Sequence, residues 1–310
     1  MLLSRLAEEF RRSGCLTEEQ IPMAAYTSFQ IGGPADLLVT AEDESAAARA
    51  AVACRSSGIP LLIMGNGSNL LVDDAGIRGV VLRLPDHAQP ECIGTTEDTK
   101  VLVRCPAGLP LKRLCRFARD NGLAGLEFAY GIPGTVGGAA YMNAGAYGGE
   151  MKDVLAEVRT IASDGEFLTH QADTLSLSYR HSALMENGEI VTSVLLSLMP
   201  DDPAAIGARM EDYMNRRREK QPLEYPSAGS FFKRPPGMFA GTLIEGCGLK
   251  GFTVGGAQIS KKHAGFVVNR GGATCADVKE LARQVRERVY AAHGVWLEPE
   301  VRFVGGPKDR

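Results

Sequence analysis

Hydrophobic positions that recur every three or four residues predict five helices along the chain. The last of them is the clearest, since Val278, Leu281, Val285 and Val289 all fall on one face. Such a stripe is typical of an amphipathic helix that covers a core. The predicted helices span residues 1–12, 45–57, 111–121, 204–220 and 276–292.

Short apolar runs and alternation at every second position predict strands between these helices. The alternating segments 154–162 and 189–198 lie on either side of a turn at residues 163–165 (SDG). The predicted strands span residues 59–64, 79–84, 100–105, 154–162 and 189–198, and a strand-like piece covers residues 296–304. This mixture predicts an α+β protein.

Residues 200–203 (PDDP) interrupt the pattern and predict a domain boundary. We expect a nucleotide-holding domain over residues 1–200 and a smaller α+β domain over residues 201–310. The strand–helix–strand segment 36–64 is expected to form a small lobe of the first domain, with the lobe boundary near residues 85–100.

Composition is that of a globular protein and argues against nucleic acid as a partner. The chain has 310 residues, of which 45% are hydrophobic and 23% charged, and its formal net charge is −3. A surface that binds nucleic acid needs an excess of basic residues, which this charge does not provide.

The chain has neither an apolar run long enough to cross a membrane nor the apolar segment of a signal peptide. Its seven cysteines are scattered, without a C-x-x-C pair and without histidines at metal-ligand spacing. We therefore expect a reduced, cytoplasmic protein with no metal site.

Two glycine-rich segments are the strongest functional signal in the sequence. The first glycine loop is residues 65–72 (GNGSNLLV), and the second is residues 131–148 (GIPGTVGGAAYMNAGAYG). Glycines let a backbone approach a ligand closely and offer it N–H donors, which suits a pyrophosphate. Neither loop fits the Rossmann or P-loop pattern, so another kind of nucleotide site is expected. Ordinary turns are the alternative explanation.

Four further motifs accompany the loops, at residues 26–33 (YTSFQIGG), 178–182 (SYRHS), 225–235 (YPSAGSFFKRP) and 297–302 (LEPEVR). With the two loops, and in this order, they resemble the UDP-N-acetylenolpyruvoylglucosamine reductase (UDP-N-acetylmuramate dehydrogenase) family, FAD enzymes of bacterial cell-wall precursor synthesis. The resemblance runs from about residue 26 to residue 304. It implies an FAD-binding domain of the p-cresol methylhydroxylase type, made of two α+β lobes, and a C-terminal α+β substrate-binding domain.

The resemblance implies three catalytic residues. Arg180 matches the family's catalytic arginine, Ser230 the serine that donates a proton, and Glu300 the third catalytic residue. The substrate is an electron-rich enol ether with a carboxylate, so cationic groups aimed at that carboxylate should lower the barrier to hydride addition. A fixed guanidinium suits this task. Spacing alone does not separate Glu300 from Glu298, and Glu300 is chosen from the motif.

Binding residues are likewise implied by the resemblance, and FAD is expected along both glycine loops. The expected FAD contacts are Gly65, Asn66, Gly67, Ser68, Asn69, Gly131, Ile132, Pro133, Gly134, Thr135, Gly137, Gly138, Asn143, Gly145 and Ala146. The expected substrate contacts are Ser68, Arg216, Lys220 and Lys233. A predicted strand begins within ten residues of Arg180, which indicates the shorter subtype without the tyrosine-bearing loop.

The implied activity is the NADPH-dependent conversion of UDP-N-acetylglucosamine enolpyruvate to UDP-N-acetylmuramate, with FAD held non-covalently. A monomer is favoured. His263 is expected to be structural, because an isolated histidine rarely has a catalytic role. Two alternatives are an oxidase of the same flavin superfamily and a non-catalytic protein that binds a nucleotide sugar or a flavin.

Overall fold

A computed structural model describes residues 2–306 and divides the chain into two compact units. The first unit contains the chain up to Glu18 together with Leu37–Asn66 and Gly79–Arg216. The second unit contains Glu19–Asp36, Gly67–Arg78 and the chain from Arg217 onward.

Seven α-helices form within the described residues. They are α1 (Leu2–Arg12), α2 (Glu44–Ser56), α3 (Leu111–Asp120), α4 (Val136–Tyr141), α5 (Pro203–Lys220), α6 (Ala240–Gly246) and α7 (Cys275–His293). All five helices predicted from periodicity are confirmed, with ends that differ by one residue or so. None of the helices in residues 2–306 is both long and apolar enough to span a bilayer.

The strands are more numerous than the sequence pattern indicates. They are β1 (Leu16–Pro22), β2 (Pro34–Thr40), β3 (Leu61–Ile63), β4 (Leu70–Val72), β5 (Ile77–Arg83), β6 (Glu91–Thr95), β7 (Val101–Pro106), β8 (Leu123–Ala124), β9 (Gly145–Ala146), β10 (Gly149–Glu150), β11 (Leu155–Ile161), β12 (Phe167–Gln171), β13 (Ile190–Pro200), β14 (Ser227–Ser230), β15 (Thr253–Val254), β16 (Ala257–Ile259), β17 (Phe266–Asn269) and β18 (Arg302–Val304).

An antiparallel sheet of order β12-β11-β13-β7-β6 forms the centre of the first unit, and β8 adds to β13. The long strand β13 pairs with β11, β7 and β8. Buried residues of α3 and α4, including Leu111, Leu114 and Val136, share one hydrophobic core with this sheet. A second core in the same unit is formed around the alanine-rich α2, which packs with α1. A further sheet has the order β1-β2-β5-β3.

The second unit is built on a sheet of order β14-β17-β16-β15 and on the parallel pair β18-β4. The predicted apolar face of α7 is confirmed, since all four of its residues are fully buried in this unit's core. Helix α7 begins at a capping box in which Thr274 and Asp277 each accept a backbone hydrogen bond from the other.

Strands β12 and β1 are two of those that the sequence pattern did not predict. Strand β12 (Phe167–Gln171) follows the predicted turn and pairs with β11, so the turn does not lead directly to β13. Strand β1 (Leu16–Pro22) is mostly exposed. Both contain several polar residues, and therefore lack the apolar pattern from which strands are recognised.

The two compact units also differ from the single boundary expected near residue 200. Segments 19–36 and 67–78 belong to the second unit, because Phe29, Ile31 and Leu71 are buried in its core. The boundary between the two units falls within the continuous helix α5, between Arg216 and Arg217. Contacts with segments so distant along the chain are not visible in a local sequence pattern.

Candidate active site

The first glycine loop contacts the second one within the first unit. The side-chain amide of Asn66 donates to the main-chain carbonyl of Pro133 over 3.2 Å. Gly65 lies so close to Thr135 that a β-carbon at this position would overlap its hydroxyl group. Two segments that are more than sixty residues apart in the sequence are thereby packed closely against each other.

Four main-chain N–H groups at this contact donate no hydrogen bond within the part of the chain that the structure describes. Among residues 2–306, no acceptor receives a hydrogen bond from the amide nitrogens of Gly65, Asn66, Gly134 or Thr135. Such donors are what an anionic pyrophosphate requires. The donor set therefore fits the diphosphate of FAD.

Gly137 has a different reason to be glycine, because α4 packs tightly there. Its amide donates to the carbonyl of Ala107 over 2.8 Å, and an added β-carbon would lie 2.7 Å from the β-carbon of Ala107. Gly138 is less crowded, since the nearest atom to an added β-carbon is the Thr135 hydroxyl at 3.3 Å. Close packing against Ala107 therefore explains why residue 137 is glycine, and its FAD contact stays a prediction.

Three motifs meet in the second unit. Gly67 has a positive φ of 59°, and its carbonyl accepts a hydrogen bond of 3.3 Å from the amide of Ser28. The hydroxyl of Ser28 donates in turn to the carbonyl of Ser227 over 2.7 Å. The motif of residues 26–33 is thus bonded both to the first glycine loop and to the segment that leads to Ser230.

Glu300 is held by the end of the first glycine loop. The side-chain amide of Asn69 donates to the carbonyl of Glu300 over 3.1 Å, and the carbonyl of Asn69 accepts from the amide of Arg302 over 2.9 Å. On the other side, the amide of Glu300 donates to the carbonyl of Phe231 over 2.8 Å. The half-buried Glu300 therefore lies on the segment next to the exposed Ser230.

Arg180 lies at the tip of a two-residue turn in the first unit. Ser178 and His181 exchange backbone hydrogen bonds of 3.1 Å, which leaves Tyr179 and Arg180 between them. The guanidinium Nη2 of Arg180 donates to the carbonyl of Gly145 over 3.0 Å. The predicted catalytic arginine is therefore hydrogen-bonded to the second glycine loop.

Asn143 is fully buried, with a positive φ of 40°. Its side-chain amide donates to Glu150 over 2.8 Å and to the carbonyl of Ser178 over 2.9 Å. Its side-chain oxygen accepts from the amide of Lys152 over 2.9 Å. The side chain predicted to contact FAD thus makes its hydrogen bonds within the protein.

The basic residues predicted to bind substrate lie in both units. Arg216 belongs to the first unit, where it forms an ion pair of 2.7 Å with Asp212. Lys220 and Lys233 belong to the second unit, and the ammonium of Lys233 lies 3.4 Å from a carboxylate oxygen of Glu298. Glu298 is largely exposed, unlike the half-buried Glu300. The three basic side chains are exposed or partly exposed.

His263 has a structural setting in the second unit. Its Nδ1 accepts a hydrogen bond of 3.1 Å from the amide of Gly265, and its ring packs edge-on against Phe266. Burial lowers the pKa of His263 below its ordinary value, which favours the neutral ring. A neutral ring with an occupied Nδ1 agrees with the structural role expected from the sequence.

Sequence reasoning gave no role to Ser182, although this residue closes the motif that contains Arg180. Ser182 is fully buried, and its hydroxyl donates to the carbonyl of Tyr141 over 2.6 Å. Its position within the motif was the one available signal.

Comparison with known proteins gives matches for both parts of the chain. Residues 35–170 match the family model described as "FAD binding domain". Residues 221–304 match the model described as "UDP-N-acetylenolpyruvoylglucosamine reductase, C-terminal domain". The expected combination of an FAD-binding domain and a C-terminal α+β domain is therefore confirmed.

Relatives of nearly the same length are similar over almost the whole chain. The chain is 49% identical to the UDP-N-acetylenolpyruvoylglucosamine reductase of Syntrophomonas wolfei over 92% of its own length and 93% of that protein. It is 46% identical to the protein of the same name from Agathobacter rectalis over 97% of each.

A solved structure agrees with these relatives. The crystal structure of UDP-N-acetylenolpyruvylglucosamine reductase from Thermus caldophilus aligns with a TM-score of 0.80 and 38% identity, over 94% of this chain and 99% of that one. Motifs, fold and relatives lead to one assignment. The chain belongs to the UDP-N-acetylenolpyruvoylglucosamine reductase family, enzymes of peptidoglycan precursor synthesis that carry an FAD-binding domain.

Proposed function

We propose that this protein reduces the enolpyruvyl ether of UDP-N-acetylglucosamine to the lactyl ether of UDP-N-acetylmuramate, with NADPH as the electron donor. One observation carries the proposal beyond family membership. Both charged candidates are hydrogen-bonded to a glycine loop, Arg180 through Gly145 and Glu300 through Asn69. Groups fixed in this way are suited to act beside a cofactor that the loops hold.

The two loops would hold FAD non-covalently. The main-chain N–H groups of Gly65, Asn66, Gly134 and Thr135 would donate to its diphosphate, since they have no acceptor within the described chain. When bound and reduced by NADPH, FAD would supply a hydride from its N5 atom. The remaining steps depend on side chains of the protein.

Arg180 would bind the carboxylate of the enolpyruvyl group. Hydride addition to the terminal carbon pushes negative charge toward that carboxylate, where the guanidinium stabilises it. An arginine binds a carboxylate through two parallel N–H groups, which also orients the substrate. Loss of such a donor typically slows a reaction about 10²–10³-fold.

Ser230 would deliver the proton that completes the reaction at the carbon next to the carboxylate. Glu300 would assist, as a hydrogen-bonding group on the segment beside Ser230. The substrate gains a hydride that originates from NADPH and a proton from Ser230. Solvent then reprotonates Ser230, so the reaction balances. NADPH leaves as NADP⁺ before the sugar nucleotide reacts, so a ping-pong initial-rate pattern is expected.

The Ser230→Ala variant tests the proton-donor role. We expect the reduction of FAD by NADPH to be unchanged, while reoxidation by the sugar nucleotide slows about 10²–10⁴-fold, the usual contribution of acid catalysis. Stopped-flow absorbance at the flavin bands measures the two half-reactions separately.

Ser163→Ala is a suitable control, because Ser163 is also an exposed serine but lies in the turn after β11. It should leave both half-reactions intact. Equal slowing of the two half-reactions by Ser230→Ala would contradict the role of Ser230. A colourless protein that does not respond to added FAD would contradict the proposal as a whole.

A further inference from the structure

We propose that Asn143 and Ser182 are positioning residues that hold the turn of Arg180 in its reactive place. This inference rests on the proposed function of Arg180. It also gives the side chain of Asn143 a task other than the FAD contact predicted from the sequence.

The turn of Arg180 needs support from outside. It contains two residues closed by the hydrogen bonds between Ser178 and His181, and Arg180 has a φ of 55°. A side chain other than glycine in this left-handed region is strained by about 1–2 kcal/mol. A strained conformation persists when the surroundings fix it.

Asn143 fixes the first residue of the turn. One amide hydrogen goes to the carbonyl of Ser178 and the other to the carboxylate of Glu150, so both donors of the side chain are in use. The side chain is fully buried, and its oxygen is bonded to the amide of Lys152. Asn143 therefore has no N–H left for FAD and bonds instead to the turn.

Ser182 fixes the chain immediately after the turn. Its buried hydroxyl donates to the carbonyl of Tyr141, at the end of α4. Arg180 itself donates to Gly145 between these two points. Three hydrogen bonds thus join residues 141–145 to residues 178–182 on both sides of the guanidinium.

This arrangement determines how far the guanidinium can move. Without Asn143 or Ser182, the turn loses one of the three hydrogen bonds that join it to residues 141–145. A displacement of about 1 Å can slow a reaction about 10²-fold. The loss should appear in the step that uses Arg180 and not in the binding of FAD.

The test compares Asn143→Ala and Ser182→Ala in the holoenzyme with and without Arg180→Ala. Each single variant should slow flavin reoxidation by the sugar nucleotide about 10–100-fold. Reduction by NADPH and the affinity of the apoprotein for FAD, measured by flavin fluorescence, should change less than about twofold. In the Arg180→Ala background, the same substitutions should change reoxidation less than about threefold, because residues that act as one unit are not additive.

Thr192→Val is the matched control. Thr192 is also a buried residue of the first unit with a hydroxyl group, and this hydroxyl donates to the carbonyl of Arg159 over 3.3 Å and not to residues of the turn. It should leave reoxidation unchanged. If Asn143→Ala does not fold, as judged by circular dichroism, Ser182→Ala carries the test alone.

The outcomes separate the inference from the proposed function. Additive effects in the double variants would overturn the inference, and so would a loss of FAD affinity with normal reoxidation in the saturated enzyme. If Arg180→Ala slows reoxidation but the other variants do not, the inference alone fails. If Arg180→Ala has no effect, the proposed role of Arg180 fails and the inference with it.

Discussion

Arg180 combines a functional side chain with a backbone conformation that glycine adopts more easily. Its φ of 55° places it in the left-handed region, where a β-carbon crowds the following carbonyl. A glycine here would be less strained but would lack the guanidinium. Strained backbone conformations cluster at functional sites, so an arginine at a position that favours glycine indicates a functional role for its guanidinium.

This residue allows strain to be measured apart from charge. Arg180→Gly and Arg180→Ala both remove the guanidinium and its bond to Gly145, but Ala retains the β-carbon. We expect the glycine variant to have the higher free energy of unfolding, by about 1 kcal/mol. Urea denaturation of the two apoproteins measures this difference. An alanine variant as stable as the glycine variant would show that the turn is relaxed.

The sequence names candidate catalytic residues but does not show how they are held. Arg180, Ser230 and Glu300 are candidates because their motifs resemble those of the family, and their catalytic roles stay predictions. The hydrogen bond from Asn143 to Ser178 spans 35 residues and has no local pattern. The role proposed for Asn143 therefore follows from the structure and not from the sequence pattern.

At the scale of elements, α7 shows how a local pattern leads to a correct prediction. Its four apolar positions fall on the buried face, and its first turn carries the capping box of Thr274 and Asp277. The carboxylate of Asp74 also accepts hydrogen bonds from the amides of Cys275 and Ala276, over 2.7 and 2.9 Å. This contribution comes from a loop about 200 residues earlier and could not be foreseen.

The cap of α7 should make stability depend on pH. The hydrogen bond from the amide of Thr274 lowers the pKa of Asp277 below its ordinary value. The stabilisation is therefore complete above the unfolded pKa, near 4, and is lost as the pH falls through the lower folded pKa. Asp277→Asn should be less stable than the original protein at pH 7.

Unfolding in urea at several pH values measures this effect. The difference between the original protein and Asp277→Asn should shrink as the pH is lowered from about 5 to about 3, because the native carboxylate becomes neutral as well. A difference that is constant over this range would contradict the role of the charge.

Strand β12 shows the limit of prediction at the same scale. Residues Phe167–Gln171 (FLTHQ) are partly exposed and alternate poorly, yet they pair with β11 along five positions. At the edge of a sheet, backbone hydrogen bonds to an established strand can order a segment that lacks an apolar face. A hydrophobic pattern reveals the apolar face of a strand, but it does not reveal backbone pairing at the edge of a sheet.

At the scale of the whole molecule, the second unit depends on three separate segments of the chain. Phe29, Ile31 and Leu71 are at most 2% exposed and lie in the same core as α7. Burial of one such side chain contributes roughly 1.5–3 kcal/mol. Together the three approach the net stability of a small domain, about 5–15 kcal/mol.

A fragment that begins at Arg217 should therefore not fold, although it contains the whole match to the C-terminal family model. We expect its far-ultraviolet circular dichroism and amide NMR spectrum to be those of an unfolded chain. The intact protein under identical conditions is the control. A cooperative thermal transition of the fragment would show that the segments before residue 79 are dispensable.

The parallel pair β4–β18 has a consequence for biosynthesis. Leu70 is paired with Arg302, about 230 residues later in the chain. At translation rates of roughly 5–20 residues per second, about 10–50 s pass between the synthesis of β4 and that of β18. During that interval Leu71 and Val72, both completely buried in the finished protein, remain uncovered on the nascent polypeptide. Newly made chains are therefore expected to need chaperone protection until translation reaches β18.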